Sequence, residues 1–192
     1  MEHILGLLSD WLIKNKAIEP DDRELYEYAI YSFLISIAPL VIFLIASGVM
    51  GMWWEGIFII VPFMIIRKYS GGYHAKHAYV CFLVSTGLLG VSLYIAAFAS
   101  SNWIIHALSC AGGISLAINS PIDSENKKLT ENEKIQYKYV TYLLIMIFLL
   151  VYVVLIFFRL ERYSICVGVS LILTSLLQLP CVLARQLSRK GE

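Results

Sequence analysis

Six long apolar runs, at roughly 29–48, 50–66, 80–99, 103–119, 140–158 and 163–183, set the pattern of the chain. Each is close to the ~20 residues that cross a bilayer as a helix. The first two runs form a hairpin interrupted only by Ser47-Gly48 and by Glu55, so either point can hold the turn, and a count of five spans stays open beside six. Residues 1–18 follow a different pattern, with Ile4, Leu5, Leu8, Trp11 and Leu12 at helical spacing and acids and lysines elsewhere. That stripe predicts an amphipathic helix, lying either in the interface plane or against the cytoplasmic end of the bundle. No cationic start followed by a small-residue cleavage site is present, so the segment does not read as a signal peptide. Pro20 with Asp21, Asp22 and Glu24 suits the first turn of a new helix, where proline forfeits no hydrogen bond and acids oppose the helix dipole. Pro39 and Pro62 fall inside the first two runs and predict kinks whose freed carbonyls neighbouring helices can satisfy. Trp53, Trp54 and Trp103 sit near run ends, as interfacial anchors do.

Composition narrows the class. Hydrophobic residues make up 59% of 192 positions and charged residues 15%, which leaves no room for a large soluble domain. The expected fold is all-α, a polytopic membrane protein with about six transmembrane helices. It reads as one integral-membrane domain over 1–192, with 1–28 as a cytoplasmic or interfacial N-terminal segment. With six spans, Lys14, Lys16, Arg23, Arg67, Lys68, Lys76, Lys127, Lys128, Lys134, Lys138, Arg185, Arg189 and Lys190 share one side. That is thirteen of the 15 basic residues, and only Arg159 and Arg162 fall opposite. The positive-inside tendency then puts both termini in the cytoplasm of a multi-pass cell-membrane protein. The net charge of +1 reflects seven acids before residue 28 and does not bear on orientation. No basic face with interleaved aromatics suggests nucleic acid.

One polar stretch breaks the apolar pattern, Arg67-Lys68-Tyr69-Ser70-Gly71-Gly72-Tyr73-His74-Ala75-Lys76-His77-Ala78-Tyr79-Val80-Cys81. A thiol becomes a good nucleophile when a base or a positive neighbour draws off its proton, and the stretch supplies both, with Gly71-Gly72 to bend the backbone. On one straight helix His74 and Cys81 would stand about 10 Å apart along the axis. His77 would be a direct neighbour of Cys81 at about 6 Å. Spacing alone therefore selects His77 as base, unless the glycine pair folds His74 back. His74, His77 and Cys81 could alternatively hold zinc, but no carboxylate ligand lies nearby and a fourth ligand would have to be remote. Cys110, Cys166 and Cys181, scattered without paired spacing, read as inert, and His106 as a hydrogen-bonded core or interface group.

The motif Ser70-Gly71-Gly72-Tyr73-His74-Ala75, with Cys81 seven residues after the histidine, resembles the accessory gene regulator B family of Gram-positive peptide quorum sensing. The span pattern and the loop Ser120-Pro121-Ile122-Asp123-Ser124-Glu125-Asn126-Lys127-Lys128-Leu129 extend the resemblance over most of the chain. It implies a membrane-embedded cysteine endopeptidase that cuts the C-terminal tail from a small propeptide and helps cyclise the remainder to a thiolactone or lactone. It also implies that Cys81 is the nucleophile and His74 its general base, against the spacing argument for His77, so that the loop must bend. Ser70, Gly71, Gly72, His77, Arg67 and Lys68 are the candidate supporting residues, with backbone amides of the glycines or the two cations as oxyanion donors. No cofactor or metal is implied. The partners are the propeptide and the bilayer, and a homo-oligomer is open.

Two further readings accompany this one. Thr130 with Glu133 three residues on marks a capping box opening a helix into the fifth run, and the loop before it, a solvated connector, could also hold a charged propeptide tail. A small peptide transporter or a non-enzymatic scaffold is the alternative function. The runs, however, carry no charged residue in mid-bilayer, Glu55 lying near an end.

Overall fold

The structure, a computed structural model, describes residues 2–15, 17–71, 78–99, 103–122 and 130–190, without the side chains of 2–5, 78 and 184–190. Among these residues there are seven α-helices and no strand: α1 Glu2–Lys14, α2 Arg23–Val49, α3 Trp53–Ser70, α4 Ala78–Phe98, α5 Trp103–Asn119, α6 Glu131–Phe157 and α7 Glu161–Lys190. The expected all-α class is what forms. Four helices are long and apolar enough to span a membrane, within 20–49, 79–98, 131–157 and 161–183. The expected count of six is not reached on that measure, because α5 is 17 residues long and α3 carries Glu55, Arg67 and Lys68.

Local chemistry explains several boundaries. Pro20 opens a 3-10 turn, Pro20–Asp22, that runs into α2 with acids in its first turn. Thr130 and Glu133 form the reciprocal capping box, with the Glu133 amide donating to Thr130 Oγ1 and the Thr130 amide donating to Glu133 Oε2. The turn of the first hairpin falls at 50–52, between the two interruptions the sequence offers. Gly51 takes φ +70° there, and the Met52 amide donates to the Ser47 carbonyl. Pro39 and Pro62 are buried inside continuous helices.

α1 packs on α2 through its polar side. Ser9, fully buried, donates to Glu27, and Asp10 pairs with Arg23. This leaves Leu7, Leu8 and Trp11 exposed on the other side, the disposition of a helix with its apolar face free for an interface.

α7 is the centre of the bundle. Of its most apolar stretch 67% is enclosed, against 11% in α2, 22% in α4 and 17% in α6, so α7 is the helix the others surround. It packs most extensively on α5 and α3, then on α6 and α4. Close approach depends on small residues. A Cβ on Gly112 of α5 would lie 3.3 Å from the backbone of Ile172, and one on Gly168 of α7 would lie 2.3 Å from Ser109 Oγ. Phe43, Ile59, Ile60, Phe63, Leu89, Leu93, Leu173 and Leu177 form the main apolar cluster. His106 on α5 is hydrogen-bonded to the Tyr152 hydroxyl on α6, the core role expected for it.

At the start of α7, Arg162 Nε meets Glu55 Oε1 at 2.6 Å; the Glu55 side chain is 8% exposed and that of Arg162 55%. Removing the half-exposed partner leaves the enclosed carboxylate without its cation, so Arg162→Ala is expected to lower stability, by less than the loss from breaking a fully buried pair. Glu55→Gln keeps an acceptor in place and should cost less. Thermal unfolding of both variants in the same detergent checks the order.

Candidate functional site

The last turn of α3, the first turn of α4, the chain leaving α5 and the later part of α7 supply the groups of one end of the bundle. α3 ends because Gly71 takes φ +72° and ψ −164°, a backbone conformation closed to side-chain-bearing residues, while its amide still donates to the Arg67 carbonyl. The segment 120–122 meets it there. The Ile122 amide donates to the Ser70 carbonyl at 3.0 Å, and a Cβ on Gly71 would come within 2.3 Å of the Ile122 carbonyl oxygen. Gln178 of α7 completes the junction, with Nε2 donating to the same Ser70 carbonyl at 2.9 Å and lying 3.0 Å from Ser120 Oγ. Ser70, Ser120 and Gln178 are all buried, Gln178 at 1% exposure.

Cys81 lies in the first turn of α4 and is half-buried, a free thiol. Arg67, in the last turn of α3, reaches into the same region. Its Nη1 is enclosed, its guanidinium stands 6.0 Å from the centroid of the Phe63 ring, and both Cys81 and Cys181 lie within its electrostatic reach. Lys68 points elsewhere, its ammonium over the Tyr69 ring at 5.4 Å, and Tyr69 in turn meets Tyr137 of α6 edge to face. Of the candidate residues, Arg67 and Cys81 thus lie within electrostatic range of each other, and Ser70 and Gly71 form the seam at the end of α3. Gly72, His74 and His77 lie outside the described residues, so the choice between the two histidines is not decided by this geometry. Among the described residues no group of three or more His, Cys, Asp or Glu side chains could hold a metal ion.

Chemically, this end combines a reachable sulfur, a partly enclosed cation and a junction that fixes where the backbone leaves α3. Sequence reasoning passes over Gln178 and meets Ser120 only as the first residue of the loop 120–129. The available signal is an amide within an apolar run, since such a side chain seeks a partner on another helix. Arg67 is visible in the sequence as a cation seven residues before His74, but its approach to Cys81 depends on how α3 and α4 pack.

Gly71→Ala would meet both the backbone strain and the Ile122 carbonyl, whereas Gly51→Ala, at φ +70° with nothing within 4 Å, would meet strain alone. We expect about 1–3 kcal/mol for the strain, and a distinctly larger loss for Gly71→Ala in thermal unfolding of the two proteins side by side.

Comparison with known proteins agrees with this architecture. The family model described as Accessory gene regulator B matches residues 6–179. A curated relative, "Putative AgrB-like protein 2" of Clostridium perfringens (strain 13 / Type A), is 24% identical over 142 residues, covering 70% of this chain and 66% of the relative. The chain thus spans just under two thirds of that relative's length. No solved structure matches. With a model that matches nearly its whole length and a multi-pass bundle of apolar helices, this chain belongs to the accessory gene regulator B family.

Proposed function

We propose that this chain is a cysteine endopeptidase embedded in the cell membrane, which cleaves the C-terminal tail from a small quorum-sensing propeptide and promotes cyclisation of the remainder. The observation that carries the reading is the half-buried Cys81 on the first turn of α4, in electrostatic reach of Arg67, within a chain of this family. In this reading the Cys81 sulfur attacks the carbonyl carbon at the scissile bond. Positive charge from Arg67 stands where the carbonyl oxygen becomes negative. The peptide C–N bond breaks, and the leaving tail takes its proton from His74, which had accepted the thiol proton. The propeptide remains attached to Cys81 as a thioester.

A thiol within the bound propeptide then attacks that thioester, a ring thioester forms, and Cys81 leaves as a thiol after regaining a proton. Exchange of one thioester for another is close to isoenergetic, so ring closure requires no further energy source, provided water is kept from the acyl-enzyme. A site among helix ends at the membrane boundary serves that exclusion. His77, Ser70, Gly71, Gly72 and Lys68 are supporting residues in this scheme, and both termini and the site face the cytoplasm.

Cys81→Ala is expected to abolish cleavage of a synthetic candidate propeptide in a purified nanodisc preparation, while Ala at Cys110, Cys166 or Cys181 is tolerated. His74→Ala should lose about a hundred- to ten-thousandfold in rate, the usual contribution of a general base, and His77→Ala should keep a large part. Mass spectrometry of the products with initial rates decides it. Full cleavage by folded Cys81→Ala ends the protease reading, and a dead His77→Ala beside an active His74→Ala reassigns the base.

Orientation follows from the thirteen-to-two division of basic residues. A membrane-impermeant thiol reagent applied to intact cells should label Ser101→Cys and miss Glu125→Cys. The reverse labelling would place the site outside the cell.

A further inference from the structure

Gln178 is a costly residue to keep where it stands. It is 1% exposed, 108 residues from Ser70 in the chain, and its Oε1 is enclosed with no hydrogen-bond partner among the described residues. An enclosed acceptor without a partner is destabilising, and an apolar side chain of the same volume would not incur that loss. The amide cannot turn over to relieve this, because the Ser70 carbonyl can only accept and so must face Nε2. What the amide gains is two contacts from one nitrogen, to the Ser70 carbonyl and to the Ser120 hydroxyl. Those two residues are the last helical position of α3 and the residue that follows α5. The segments 72–77 and 123–129 leave the described structure one residue after Gly71 and Ile122, so the amide holds the roots of both.

The same junction is tied to the sulfur. The Gly71 amide donates to the Arg67 carbonyl, and the Arg67 guanidinium stands within electrostatic range of Cys81 of α4 and of Cys181, on α7 three residues after Gln178. Rotation or fraying of the last turn of α3 would therefore move Arg67 relative to Cys81. We propose that Gln178 is a positioning residue for the peptide-processing site, its amide clamping the Ser70 carbonyl and the Ser120 hydroxyl so that the end of α3 presents Arg67 to Cys81. The inference rests on the reading of Cys81 as nucleophile.

The variants Gln178→Met and Gln178→Glu test it in the full-length protein in nanodiscs, with the synthetic propeptide as probe. Methionine keeps the volume and loses both contacts, so kcat should fall roughly 10- to 100-fold, the effect of displacing a reacting geometry by about an ångström. KM should stay within about twofold, since the residue is not assigned to propeptide binding. Glutamate adds a pH signature. A neutral carboxyl can donate to the Ser70 carbonyl, whereas a carboxylate cannot, and a carboxylate would also draw Arg67 away from Cys81. Among the described residues, the titratable groups within electrostatic range of Arg67 are Cys81 of α4 and Cys181 of α7. Both effects have one sign, so the rate of Gln178→Glu relative to wild type should rise as pH falls, while the ratio for Gln178→Met stays flat. Hydrogen exchange at the Ile122 amide, slow in wild type, should quicken in Gln178→Met, independently of any cleavage.

Cys81-dependent cleavage by wild type, with kcat and Ile122 exchange unchanged in folded Gln178→Met, overturns the clamp alone. Should Gln178→Met not fold, a pH-independent ratio for Gln178→Glu overturns it instead. Wild type without Cys81-dependent cleavage overturns the protease reading, and the positioning role with it.

Discussion

A helix enclosed over most of its length by apolar neighbours cannot leave its polar groups there to water, and the packing around α7 follows from how that constraint is met. Its inward positions mix branched apolar side chains such as Val167, Leu171 and Leu173 with hydroxylated ones, and two of those hydroxyls turn back on their own helix. Ser164 donates to the Glu161 carbonyl and Thr174 to the Ser170 carbonyl. The surrounding helices do the same, as Ser92 does on α4 and Ser109 on α5. A hydroxyl satisfied within its own turn presents little more than a methyl group to the next helix, so α5 can approach α7 at Gly112 and Gly168 to the distance where an added Cβ would collide.

Groups too polar for that solution are found where helices meet at their ends. Glu55 pairs with Arg162 at the start of both α3 and α7, and the Gln178 amide joins α7 to the end of α3. These two contacts fix α3 against α7 at two levels, one at each end of α3. The sulfur of Cys81 and the guanidinium of Arg67 lie at the level of the second. Reactivity there would draw on a frame fixed by buried polar contacts, with the apolar cluster of Phe43, Ile59 and Leu89 supplying most of the burial between the two levels.

The features legible in the sequence are those whose cause is local. Thr130 and Glu133 lie three residues apart and cap each other. Pro20 and its acids start a helix because first-turn amides need no partner. The all-α class follows from runs of bilayer length, and His106 takes the hydrogen bond expected of an imidazole in such a run. Other features depend on packing between distant segments. The hairpin turn falls at Gly51, flanked by Ser47, whose carbonyl accepts from Met52, and by Gly48, where a Cβ would meet Trp53 at 2.5 Å. The shortness of α5 and the three charges of α3 separate them from the four longer apolar helices, although both have apolar runs near bilayer length. For the candidate site, Cys81, Ser70 and Gly71 are legible as a motif, but the position of Arg67 relative to Cys81 depends on how α3 and α4 pack, and the Gln178 contacts join residues 108 and 58 positions apart in the chain.

The reach of Gln178 back across 108 residues also bears on how the molecule comes into being. A chain growing from its N-terminus presents α3 long before α7 exists, and until then Glu55 lacks Arg162 and the face of α3 that meets α7 is uncovered. The bundle therefore closes late, around the helix that follows all the others described. A nascent chain that stops short of α7 contains Cys81 and the whole motif beside it, yet lacks the two Gln178 contacts that complete the junction at the end of α3. The completed junction is a property of the whole fold, and a half-made chain carries the thiol without the α7 contacts at the end of α3.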